Sequence, residues 1–292
     1  MSRHTSLRVG GPAEIFAAPE SVEDLQSLIS WAREIGVPYM VIGRGTNLLV
    51  KDSGIRGIVV VLTKCLKTIE QTNTDTGGVL VAAMAGTNLK TLCSYALKRG
   101  LKGMNFSLGI PGTVGGGIIM NAGTSHGSME HVLKSIDVLL PTGHTCRIEG
   151  KSLDFGYRKL SWNPKLTDGH MEQTIVLNGR FCFYPSDPEK LNKAAREIIR
   201  ERHRKQPIGW PSAGCFFKNP ASGPTAGQLI EMAGLKGKSV GGAEISSKHA
   251  NFFLNRCKAS AADFLALIDL TEEVVFKTFN VHLEREVKVV GA

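Results

Sequence analysis

The run Gly109-Ile110-Pro111-Gly112-Thr113-Val114-Gly115-Gly116-Gly117-Ile118-Ile119-Met120-Asn121-Ala122-Gly123 limits what this chain can fold into more than any other stretch. Glycine this dense, with a proline, predicts neither continued helix nor continued strand. Bare backbone lets N–H groups come close to a ligand, and successive inward-pointing N–H groups make an anion-binding concavity with a pyrophosphate as the expected guest. A tight structural loop is the alternative for such a run taken alone. A second site favours the ligand. In Val41 to Val50 an apolar run breaks into Gly43-Arg44-Gly45-Thr46-Asn47 and resumes as Leu48-Leu49-Val50, which predicts a strand, a phosphate-sized turn and a second strand. This is not a Rossmann fingerprint, since Leu48 stands where the third glycine belongs and strand signals follow where a helix should. Nor is Gly234-Leu235-Lys236-Gly237-Lys238-Ser239 a P-loop, because two residues separate its glycines where the motif has four. It reads as a loop with a basic tip.

With 292 residues, 42% of them apolar, the chain can bury a large core and is expected to form two or three lobes. No apolar run reaches the roughly 18 residues of a membrane span, and the first ten residues lack a hydrophobic signal core. A cytoplasmic protein without membrane contact is the expectation. Cys65, Cys93, Cys146, Cys182, Cys215 and Cys257 are scattered without metal-ligand spacing, so reduced thiols and no metal are expected. The net charge of +9 suits an anionic partner, yet the 35 basic residues form no block. That pattern points to a small polyanion or a merely basic surface, and away from nucleic acid.

Along the chain, Ser21 to Glu34 reads as a helix with a Ser21/Asp24 capping pattern, a stripe of Leu25, Leu28, Ile29 and Ala32, and Gly36 as its stop. Ile55 to Leu62 reads as a strand. The polar stretch Thr72 to Gly78 marks an expected boundary before a strand at Val79 to Ala83, and Thr87 to Arg99 follows as a helix stopped by Gly100. Strands are expected at 135–140, 174–177 and 180–183, and a bridging helix at Pro188 to Lys205. Helices at Pro224 to Ala233 and Ser260 to Lys277 and a terminal strand at Val281 to Val290 complete the reading.

Together these segments resemble the UDP-N-acetylenolpyruvoylglucosamine reductases over nearly the whole chain. The resemblance rests on His4-Thr5-Ser6-Leu7-Arg8-Val9-Gly10-Gly11-Pro12-Ala13, the Gly43 turn, the Gly109 run and Phe155-Gly156-Tyr157-Arg158. It continues through Ser212 to Pro220, His249-Ala250-Asn251-Phe252 and Leu283-Glu284-Arg285-Glu286-Val287. It implies an α+β fold: a two-lobed FAD-binding domain of the vanillyl-alcohol-oxidase type, followed by a smaller α/β substrate-binding domain. The expected division is 1–64 for the first lobe, with 287–292 returning to it, 65–204 for the second lobe and 205–286 for the substrate domain. The short stretch between Arg158 and the bridging helix resembles the compact type II branch.

The resemblance further implies that NADPH reduces a noncovalently held FAD, which then gives hydride to C3 of an enolpyruvyl ether on a UDP-sugar. Flavin contacts would come from Ile42, Gly43, Arg44, Gly45, Thr46, Asn47 and Leu48 and from Gly109, Ile110, Pro111, Gly112, Val114, Gly115, Gly116, Asn121, Ala122 and Gly123. Arg158 would stabilise the substrate carboxylate through its guanidinium fork. A strand at 281–290 would put Glu284 and Glu286 on one face, and only the family motif singles out Glu286 as the carboxylate that polarises the substrate. Cys215 stands where most relatives carry a serine that protonates C2; a thiol with an ordinary pKa of about 8.5 can fill that role. Tyr157, Lys218, Asn219, Lys236, His249 and Asn251 are expected substrate contacts, and Lys288 replaces an arginine common near the flavin. A monomer is expected. An FAD oxidase or dehydrogenase of the same fold, or a nucleotide-binding protein without turnover, are the other functions such a chain can serve.

Overall fold

The computed structural model describes residues 1–73 and 77–292. The chain forms two compact units, one of Phe16–Arg44 and Gly57–Arg200, the other of Met1–Ile15, Gly45–Arg56 and Glu201–Ala292.

In the first unit helix α1, Val22–Glu34, starts where Ser21 Oγ accepts from the Asp24 N–H at 2.9 Å and buries Leu25, Ile29 and Ala32. Gly36, at φ +67°, turns the chain away from it. The strand Tyr39–Ile42 then runs parallel to residues 58–61. An antiparallel sheet follows in the order Thr145–Glu149, Leu133–Leu139, Ile175–Pro185, Val79–Met84, Ile69–Asn73. Phe181 and Phe183 are fully buried from the central strand and anchor the core with Val81, Ile136 and Ile118. Helix α2, Leu89–Lys98, adds Leu89, Leu92, Cys93 and Ala96 to that core.

Several expectations need correcting. The two strands read at 174–177 and 180–183 are one, Ile175–Pro185. Gly179 looks like a break, but its bareness serves packing: a Cβ there would lie 2.6 Å from Ile118 Cδ1. The boundary expected at Thr72 to Gly78 joins two adjacent antiparallel strands of one sheet, and its residues 74–76 lie outside the described residues. The Gly109 run contains a short helix, α3, Val114–Ile119, capped by Thr113. Its glycines permit close approach, since a Cβ on Gly115 would sit 2.8 Å from Ala85 Cβ and one on Gly117 2.7 Å from Met129 Cε. The bridging helix α4 spans Pro188–Lys205, as read from the sequence.

In the second unit helices α5, Ala226–Met232, and α6, Ala261–Phe279, both begin with reciprocal capping boxes, Thr225/Gln228 and Ser260/Asp263. Asp52 adds to the start of α6, its carboxylate accepting from the Ala261 and Ala262 N–H groups at 2.9 Å each. A three-stranded sheet, Ser239–Val240, Ala243–Ile245 and Phe253–Asn255, packs with Phe216, Phe217 and Phe264. The expected terminal strand is shorter: only Lys288–Val290 is strand, parallel to Leu48–Val50. Upstream, Arg285 is drawn onto Asp269 and Glu272 of α6, and burial falls on Leu283 and Val287, four apart. This pairing, with Leu49 buried in the same core, is why Gly45–Arg56 clusters with the C-terminal part instead of with a continuous 1–64 lobe.

Candidate active site

The two glycine-rich segments meet in the first unit. A Cβ on Gly43 would come within 2.3 Å of Thr113 Oγ1, so only glycine lets this turn lie against the cap of α3. Arg44 donates to Asn88 Oδ1 at 3.1 Å, and Asn88 forms a bridge with Thr113. The inward-pointing N–H groups expected along the run are mostly engaged elsewhere. Val114 donates to Thr87 O at 2.8 Å, Gly115 to Ala85 O at 2.9 Å and Gly117 to Thr113 O at 2.8 Å. Among the described residues, the N–H groups of Gly43, Arg44, Gly112 and Thr113 have no acceptor. Gly116 is the open side of α3, since a Cβ there would meet only Thr113 Oγ1, at 3.5 Å. Bare backbone, unused donors and an open glycine at one place fit a flavin pyrophosphate. Thr113 was not among the expected contacts, although its place before the glycines is the sequence signal of a cap.

Arg158 sits in the two-residue turn of a hairpin, Leu153–Gly156 with Lys159–Trp162, whose register pairs Gly156 with Lys159. Its backbone is left-handed at φ +58°, where glycine or asparagine is ordinarily found. A side-chain-bearing residue there costs about 1–3 kcal/mol and persists only where its surroundings enforce it. The guanidinium lies 5.1 Å from the centre of the exposed Tyr157 ring. Asn121, expected at the flavin, instead uses its carboxamide on protein, bonding Glu130 and the Gly156 carbonyl.

In the second unit Cys215 and Glu286 are brought onto neighbouring segments. The Phe216 N–H bonds Asn251 O at 2.9 Å, while the Phe216 carbonyl accepts from the Glu286 N–H at 2.8 Å. Cys215 itself bridges Phe252. Asn251 is 2% exposed, and its carboxamide is engaged with the main chain. The oxygen accepts from Phe217 N–H at 2.9 Å and Phe216 N–H at 3.2 Å, and the nitrogen donates to Phe217 O at 2.8 Å. It thereby holds the main chain of the segment that carries Cys215. Asn47, expected at the flavin, similarly donates to the Glu286 carbonyl at 3.1 Å while its own carbonyl accepts from Lys288 N–H at 3.0 Å. Arg202, on the last turn of α4, lies near Cys215: burial lowers its basicity, and ionisation of that thiol would raise it again. No motif or spacing marks that neighbour in the sequence.

The other expected substrate contacts fall in the same unit. Lys218 donates its N–H to Glu284 O at 2.8 Å and pairs its ammonium with the Glu284 carboxylate. Lys236 pairs with Glu231. Asn219 Oδ1 accepts from the Ala226 N–H, the first residue of α5, at 3.1 Å. The His249 ring packs edge-on to Phe252, and its Nδ1 accepts from the Asn251 N–H at 3.3 Å. Burial, and then the nearby Lys236 ammonium, hold the His249 imidazole below its ordinary basicity.

Comparison with known proteins adds to this geometry. Residues 13–149 match the FAD binding domain family, and residues 206–290 match the C-terminal domain of UDP-N-acetylenolpyruvoylglucosamine reductase. A reductase of that name from Desulfosudis oleivorans is 45% identical over all of this chain and 93% of its own length. One from Heliobacterium modesticaldum is 41% identical over the whole chain and 89% of its own length. The crystal structure of the reductase from Thermus caldophilus superposes with a TM-score of 0.81 at 36% identity, covering 99% of this chain and 97% of that one.

Proposed function

The chain belongs to the UDP-N-acetylenolpyruvoylglucosamine reductase family and is an FAD-dependent oxidoreductase, and from that premise we propose that it uses NADPH to reduce UDP-N-acetylglucosamine enolpyruvate to UDP-N-acetylmuramate. It would do so in the cytoplasm, as a monomer. Bound FAD would supply the two-electron chemistry, accepting hydride from NADPH and passing it to C3 of the enolpyruvyl group. The N–H groups of Gly43, Arg44, Gly112 and Thr113 would hold its pyrophosphate beside the open face of Gly116.

Reduction of the C=C bond needs hydride at C3 and a proton at C2. The Cys215 Sγ–H supplies that proton: the S–H bond breaks, a C2–H bond forms, and the thiolate left behind is reprotonated from water. Before protonation, negative charge moves from C2 into the adjoining carboxylate. The Arg158 guanidinium stabilises it through two parallel charge-assisted hydrogen bonds, and Glu286 helps to polarise the same carboxyl group. Lys218 and Lys236 carry carboxylate partners, Glu284 and Glu231, with which an incoming diphosphate competes.

The hydrogen bond from Glu286 N–H to Phe216 O carries the assignment, because it joins the segments bearing the acid and the carboxylate. The test is an anaerobic titration followed at the flavin absorbance band. NADPH should bleach the band and UDP-N-acetylglucosamine enolpyruvate should restore it. A flavin that stays reduced in excess substrate would remove the proposed activity.

A further inference from the structure

We infer that Asn121 and Glu130 form a positioning pair that sets the Arg158 turn. The inference rests on the role proposed for Arg158 and adds the device that holds it. Asn121 is the second residue after α3, next to its C-cap Met120, and is 5% exposed, with a left-handed backbone at φ +37°. Its Nδ2 donates to Glu130 Oε2 at 2.9 Å and to the Gly156 carbonyl at 3.2 Å, while its Oδ1 accepts from the Glu130 N–H at 3.2 Å. Both nitrogen hydrogens and the oxygen are thereby engaged, which fixes the orientation of the carboxamide.

Gly156 is the last residue before the turn, and its partner Lys159 is the first after it. Tyr157 and Arg158 lie between these two paired residues, and Arg158 holds a conformation that its own Cβ disfavours. A bond to the Gly156 carbonyl is therefore a restraint on the backbone of the turn that carries the guanidinium. The carboxylate of Glu130 strengthens the restraint, since a charge-assisted bond at one Nδ2 hydrogen leaves the other aimed at Gly156. The chain thus ties the end of its glycine-rich helix to the arginine turn, within one unit.

The test uses the FAD-loaded protein and variants at three positions. Asn121→Gly keeps the left-handed backbone accessible and removes the carboxamide; Glu130→Gln keeps an acceptor; Arg158→Lys removes the fork. In Asn121→Gly, amide hydrogen exchange at residues 157–159 should quicken. Flavin reoxidation by substrate should slow on the order of 10- to 100-fold, as expected for a catalytic group misplaced by about 1 Å. FAD content and flavin reduction by NADPH should not change. Glu130→Gln should restore most of both readouts relative to Glu130→Ala. The double variant Asn121→Gly/Arg158→Lys should be no slower than Arg158→Lys alone.

Additive losses in the double variant, or unchanged exchange at 157–159, would overturn the inference. So would loss of FAD from Asn121→Gly, which would place Asn121 at the cofactor. If Arg158→Lys reoxidises at the wild-type rate, the role proposed for Arg158 fails. Faster exchange in Asn121→Gly would in that case still support the restraint on the turn.

Discussion

Gly116→Ala separates what the glycines of α3 do for the fold from what they do for the cofactor. Within a helix, alanine in place of glycine is worth about 0.5–1 kcal/mol. Nothing opposes that gain at Gly116, where an added Cβ meets only Thr113 Oγ1 at ordinary contact distance, 3.5 Å. The FAD-free protein should therefore melt later, by roughly 1–4 °C for a chain of this size. The loaded protein should respond in the opposite sense, because the new methyl group occupies the open face assigned to the flavin. A loss of about 1.4–2.7 kcal/mol in binding is a 10- to 100-fold weaker affinity, and the rise in melting temperature on adding FAD should shrink accordingly. Gly115→Ala is the control: its Cβ would stand 2.8 Å from Ala85 Cβ, so overpacking of about 1–3 kcal/mol should destabilise the protein with or without FAD. Thermal unfolding of FAD-free and FAD-loaded protein, with a flavin-fluorescence titration, reads all of these. Wild-type FAD affinity in Gly116→Ala would show that the open face of α3 is not the cofactor face.

Cys215→Ser should stay active, whereas Cys215→Ala should lose about 10²–10⁴ in turnover with flavin reduction by NADPH intact; an undiminished Cys215→Ala enzyme returns the thiol to a packing role. Glu286→Gln should slow only flavin reoxidation by substrate. Glu284→Gln breaks an ion pair whose carboxylate side chain is 71% exposed, so stability should change by less than about 1 kcal/mol and turnover should stay near wild type; the reverse ranking in stopped-flow reoxidation would reassign the carboxylate. His249 has a folded pKa held below its unfolded value of about 6.5, so the unfolded chain binds the proton more readily. Its contribution should be complete above that value and be lost as pH falls through the folded pKa. Urea midpoints at pH 7.5 and 5.5 should differ less in His249→Asn than in the wild type, and an equal difference in both would exclude His249 as the source.

Elements whose signals are local were legible in the sequence. Ser21 caps a helix where its capping pattern stands, Ser260 caps the helix read to start there, and α4 begins at Pro188. Helix α3 was not legible, because three glycines in six residues each carry a propensity penalty of about 1 kcal/mol. What offsets it is close packing on Ala85, Leu89 and Met129, contacts distant in sequence. The C-terminal segment misled for the same reason: alternation at 284–290 suggested a strand, while Arg285 is held to α6 by two carboxylates. Residue types in the candidate site were legible through motif order. Which of their atoms are already committed to the protein was not.

That commitment has a common form. Asn121 bonds the Gly156 carbonyl two residues before Arg158, Asn251 clamps Phe216 one residue after Cys215, and Asn47 holds the carbonyl of Glu286 itself. The residues proposed to act on the substrate lie outside regular helix and strand, and Arg158 is left-handed. Their neighbouring N–H and C=O groups then lose ladder partners, and burying them unpaired would be destabilising. Asparagine answers this because its carboxamide carries the donor and acceptor chemistry of a peptide group on a short side chain with few rotamers to lose. Aspartate at any of the three positions would keep the acceptor and lose the donor, leaving Gly156 O, Phe217 O or Glu286 O without the bond it now accepts. In this chain, asparagines of the glycine-rich and proposed substrate-facing motifs therefore serve the backbone beside the residues proposed to react, a use that motif order alone does not reveal.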